Sequence, residues 1–121
     1  MKRLLIALLI LFMATGAWAG GDLWCKGSDE QTDDAAITTS AGIFHGIIVT
    51  TDGQNTVTVS IYDHASAASG TEIIPTTTVA AAIRIQPISV SPGVRFYNGI
   101  YVDITTSGTT TYEVYYKNEN D

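Results

Sequence analysis

Basic side chains are scarce in this chain. Six lysines and arginines stand against twelve aspartates and glutamates, for a net charge of −6. Binding to nucleic acid depends on Lys and Arg neutralising phosphate, so that class of partner is not expected. Cysteine is nearly absent. Cys25 is the only one, so no disulfide can form within the chain. Its neighbour is Trp24, and free cysteines are commonly buried, so Cys25 is expected inside, with a bridge between chains as the alternative. Histidine is limited to His45 and His64. A nucleophilic hydrolase needs a Ser or Cys near a His that an acid orients, and two histidines give little material for that. No stretch combines helix caps with a 3.6-residue apolar stripe after residue 19. The one long apolar run, residues 4–14, is too short to span a bilayer comfortably, which takes ~20 residues.

That run has a different reading. Lys2 and Arg3 precede it, and Ala17-Trp18-Ala19 follows with small residues where a signal peptidase reads them. Residues 1–19 therefore read as a secretory signal peptide, and the chain as exported to the periplasm, cell surface or medium, with no membrane contact after cleavage. Cys25 follows Leu23-Trp24, which does not suit a lipoprotein cleavage site. Removing Lys2 and Arg3 takes the net charge from −6 to −8. The remaining residues divide into a polar arm, 20–42, and a β domain, 43–121. Trp24 is the candidate anchor of the arm, because a Trp buries much apolar area.

Period-two alternation dominates the rest. Past Asn98-Gly99, Ile100, Val102 and Ile104 point one way and Tyr101, Asp103 and Thr105 the other. Residues 35–39 suggest a short first strand. Residues 43–50, IFHGIIVT, are almost wholly apolar, as in a strand buried on both faces or paired in an oligomer. Asp52-Gly53 signals a turn, so residues 43–50 and 56–63 are expected to form a hairpin. Ile73-Ile74 suggests a brief edge strand ended by Pro75, and a further strand starts near Val79. Pro87 within it implies an edge or a bulge. Ser91-Pro92-Gly93 reads as a turn. Tyr112, Val114 and Tyr116 mark a last strand, expected to pair with residues 100–105 as a second hairpin. Short strands with regular turn signals predict an all-β, antiparallel sandwich or jelly roll.

Chemistry-bearing clusters are sparse. His45 sits within an apolar strand, where a core or interface role is commoner than a base. Asp63-His64 supplies two adjacent metal ligands, which leaves a tetrahedral site half empty. Asp52, Asp103 and the 29–34 acids lack the spacing of a calcium loop. No metal or cofactor is expected. Tyr97, Tyr101 and Tyr115 fall opposite the apolar residues of their strands, as a subunit contact or a platform for sugar rings would require. Plain cross-strand pairing on a sheet surface accounts for such tyrosines without any ligand and is the first reading.

The segments 60–73 (SIYDHASAASGTEI), 92–109 (PGVRFYNGIYVDITTSGT) and 112–117 (YEVYYK) resemble small β-sandwich proteins of tailed phages and prophages, of the virion surface, decoration or fibre type. The resemblance implies a sandwich that decorates a larger particle. Such virion proteins rarely carry a signal peptide, so the export reading takes precedence and a virion location is the alternative. The expectation is a non-enzymatic structural or adhesion module that self-associates or docks on a larger surface assembly. The alternative is a carbohydrate-binding module. Trp24, His45, Tyr97, Tyr101 and Tyr115 are the candidate contact residues.

Overall fold

The computed structural model describes residues 25–121, so the predicted signal peptide and Trp24 lie outside the described residues. Eight strands follow in order: β1 (Lys26–Gly27), β2 (Ala35–Thr38), β3 (Gly42–Thr51), β4 (Val57–Tyr62), β5 (Glu72–Val79), β6 (Ile85–Phe96), β7 (Ile100–Thr106) and β8 (Thr110–Asn118). They form two four-stranded antiparallel sheets. Sheet A has the order β1-β8-β3-β6 and sheet B the order β2-β7-β4-β5. This is jelly-roll topology, an antiparallel ribbon folded over on itself with β4 and β5 at its tip. The all-β sandwich expected from the alternation is what forms.

The alternation builds the core directly. β4 turns Val57, Val59 and Ile61 inward, and β7 turns Ile100 and Val102 inward, all with no exposed surface. β3 and β8 answer from the other sheet with Phe44, Ile47, Val49, Tyr112 and Val114. Tyr112 reaches the margin of this core and donates its hydroxyl to the Asp33 carbonyl at 2.7 Å. Burial pushes its phenol above the usual value. β1 and β2 give each sheet one short edge strand, so the polar segment before residue 43 is stitched into the sandwich.

Both expected hairpins are absent. β3 and β4 lie in opposite sheets and face one another across the core, as do β7 and β8. A strand with one apolar face can pair sideways or stack across a core, and alternation is the same in either case. The loops decide between them. Asp52 Oδ1 accepts the amides of Gln54 and Asn55 at 2.8 and 2.7 Å, so Asp52-Gly53 opens a longer corner instead of a two-residue turn. Asp52 Oδ2 accepts from Asn55 Nδ2 at 2.8 Å and from the Thr109 amide at 3.3 Å. The Ser107 hydroxyl donates to Asn55 Oδ1 at 2.8 Å, and that of Thr106 donates to the Thr56 carbonyl at 3.0 Å. One carboxylate thus ties together two corners where the chain changes sheets.

Other local expectations shift for similar reasons. β5 runs through Pro75, which it can do because β5 is the edge of sheet B. Pro87 does lie on an edge, that of sheet A. The Ser91-Pro92-Gly93 turn is absorbed into β6, where Ser89 opposes Gly46 and Val94 opposes Phe44. β3 carries a bulge between Phe44 and Gly46, which moves its inward phase from Phe44 to Ile47. β3 is not buried on both sides. Its second face is apolar but solvent-facing. Cys25 is exposed, against the burial expected beside Trp24.

Two outcomes test this architecture. Phe44→Ala removes a fully buried ring and should lower the unfolding free energy by about 3–5 kcal/mol in urea titration. Hydrogen bonds hold the Asp52 carboxyl well below its ordinary value, the Asn55 side-chain bond first and the Asn55 and Gln54 amides after it. A lowered folded value gives stability that is present above the unfolded value, about 4, and is lost as pH falls toward the folded one. The melting-temperature gap between the native chain and Asp52→Asn should therefore be widest near neutrality and shrink in acid. A gap independent of pH would contradict this.

Candidate functional site

The outer face of sheet A is the unusual surface. Opposite the core, β3 presents Ile43, His45, Ile48 and Thr50, with Ile43 37% exposed. β6 presents Ile85, 64% exposed, with Pro87 and Ser89. β8 presents Glu113, Tyr115 and Lys117. The register makes rows of these residues: Ile48 lies between Pro87 and Glu113, and Ile43 lies between Arg95 and Lys117. A shallow depression at mid-face is lined by His45, Ile48, Pro87, Ser89 and Tyr115. A larger one of about 380 Å³ lies at the end of the face, among Ile43, His45, Pro92, Arg95, Lys117 and Glu119.

Arg95 is fixed by two neighbours. Its Nη2 donates to Glu119 Oε1 at 2.6 Å, and its guanidinium lies 5.4 Å from the centre of the Tyr97 ring. Tyr97 is 67% exposed, in the loop between β6 and β7. Asp63 holds that loop: its carboxylate accepts the Tyr97 amide at 2.9 Å and the Asn98 amide at 2.6 Å. Asn98-Gly99 then turns the chain with Gly99 at φ 138°, where a Cβ would run into the Thr38 carbonyl.

The three candidate tyrosines do not form one platform. Tyr115 belongs to sheet A and Tyr101 to sheet B, on opposite outer faces, and Tyr97 stands on a loop. Tyr101 pairs in register with Tyr62, and Asp103 beside it pairs with Ser60. Burial, with Asp34 nearby, holds the Asp103 carboxyl above its usual value. His45 and Tyr115 do share a depression, and His45 also lines the larger one together with Arg95, the neighbour of Tyr97. Arg95, Lys117 and Ile43 were not apparent as a set, because they come from three strands and only the register brings them together. Tyr62 also faces outward, and only the register shows that it stands beside Tyr101.

His64 serves the scaffold. His64 Nδ1 accepts the amides of Ser66 and Ala67 at 3.1 and 3.0 Å, which caps the turn after β4. Among the described residues, no three His, Cys, Asp or Glu side chains cluster to hold a metal ion. The chain matches no family model, no curated protein and no solved structure.

Asp63→Ala leaves the Tyr97 and Asn98 amides without their acceptor in a partly buried loop. It should cost about 1–3 kcal/mol of stability and raise hydrogen exchange at those two amides above that of their neighbours in β7.

Proposed function

We propose that this chain is an exported, non-enzymatic structural or adhesion module that associates with copies of itself through the outer face of sheet A. The observation that carries the reading is the apolar strip on that face, from Ile85 through Pro87 and Ile48 to Tyr115. Exposed strips of this kind mark contact surfaces.

Edges and charge support the same choice. All three prolines of the chain lie on the long edge strands, Pro75 on β5 and Pro87 and Pro92 on β6. A proline denies the edge a donor, so strand addition is guarded against and assembly is left to faces. The strands of sheet B carry Glu72 and Asp103 and no Lys or Arg. The outer face of sheet A carries Arg95 and Lys117 with Glu113, and Glu119 pairs with Arg95 at its end. In so acidic a chain, like copies repel least where bases and acids balance. Decoration of a larger particle, as the phage-type resemblance implies, uses the same surface.

Light scattering on the secreted chain after size exclusion tests this. The expected result is a dimer or larger species, shifted toward monomer by Ile48→Asp or Ile85→Asp with an unchanged circular dichroism spectrum. A monodisperse monomer at high concentration overturns it.

A further inference from the structure

The depression at the end of sheet A has a composition unlike the rest of the surface. Among the described residues there are only four lysines and arginines, Lys26, Arg84, Arg95 and Lys117, in a chain of twelve acids. Two of the four, Arg95 and Lys117, flank Ile43 in one row across β6, β3 and β8. His45 lines the same depression, and Pro92 and Ile43 give it apolar surface. Tyr97 stands beside it, against Arg95 and mostly exposed. Two cations, one of them paired with the lining Glu119, thus flank an apolar floor, and an exposed aromatic ring stands next to Arg95.

We propose that this depression binds a carboxylate-bearing saccharide. The carboxylate bridges Arg95 and Lys117, and a C–H face of the pyranose lies on Ile43 and Tyr97. Arg95 makes one hydrogen bond to Glu119, through Nη2, and a guanidinium carries five N–H donors, so a second carboxylate has a place on the fork. A bare phosphate or sulfate would use the cations and leave the apolar floor unused. A peptide would gain most from main-chain pairing with the adjoining edge of β6, and Pro87 and Pro92 interrupt that edge. A shallow, open site with an exposed ring suits a sugar. The inference is independent of self-association, which uses the middle of the face.

The test is titration of the secreted chain, followed by heteronuclear NMR, with sialyllactose, an oligogalacturonate, neutral lactose and an aspartate-rich peptide. Binding of one or both acidic sugars is expected, with shifts at His45, Tyr97 and Lys117 and weakening by added salt. The sialyl and uronyl arms show which sugar acid is preferred. Arg95→Gln and Lys117→Gln should each weaken binding by about tenfold. Glu119→Gln should tighten it, because the competing negative charge beside Arg95 is removed. Four results overturn the proposal: no binding to either acidic sugar, equal binding of lactose, equal binding of the peptide, or binding unchanged in both cation variants. Light scattering on the same samples separates this outcome from the self-association reading, since either can fail while the other stands.

Discussion

The fold depends on one small carboxylate at two corners. Asp52 accepts hydrogen bonds from Gln54, Asn55 and Thr109, and so holds the β3–β4 and β7–β8 connections against each other. At both corners the chain leaves one sheet and enters the other. The Thr51 amide donates to the Arg84 carbonyl at 3.0 Å, and its hydroxyl lies 2.9 Å from the Ile83 carbonyl, so the segment leading into β6 is gathered at the same place. Three strand-to-strand passages therefore meet at one end of the sandwich. With these corners in place, β3 and β8 are neighbours in sheet A while β4 and β7 are neighbours in sheet B.

The class of fold was legible because alternation reports burial on one face. Val57, Val59, Ile61, Ile100 and Val102 are inward as their spacing requires. Strand partners were not legible. Asp52-Gly53 looks like a hairpin signal until the Asp52 side chain is seen to cap a longer corner, and nothing in the spacing of β7 and β8 separates stacking from pairing. The proposed contact surface was half legible. IFHGIIVT announces a strand with too much apolar surface, but one face of it is core and the other is open. The grouping of Arg95, Ile43 and Lys117 needs the register of three strands that are distant in sequence.

The two outer faces differ in kind. The outer face of sheet B presents threonines, two paired tyrosines and Asp103. The outer face of sheet A combines an apolar strip with Arg95 and Lys117, two of the four basic side chains among the described residues. Proline interrupts the donors of both long edge strands. The proposed functions follow from that asymmetry: contact at the middle of the face, and an acidic sugar at its end.

Hydrogen exchange of the chain, measured dilute and concentrated, tests the central proposal that the outer face of sheet A is a contact surface. The account predicts added protection on concentration in β3, β6 and β8 around Ile48, Pro87 and Tyr115, with β4, β5 and β7 unchanged. Added protection along β5 or across sheet B, or none anywhere, would contradict it.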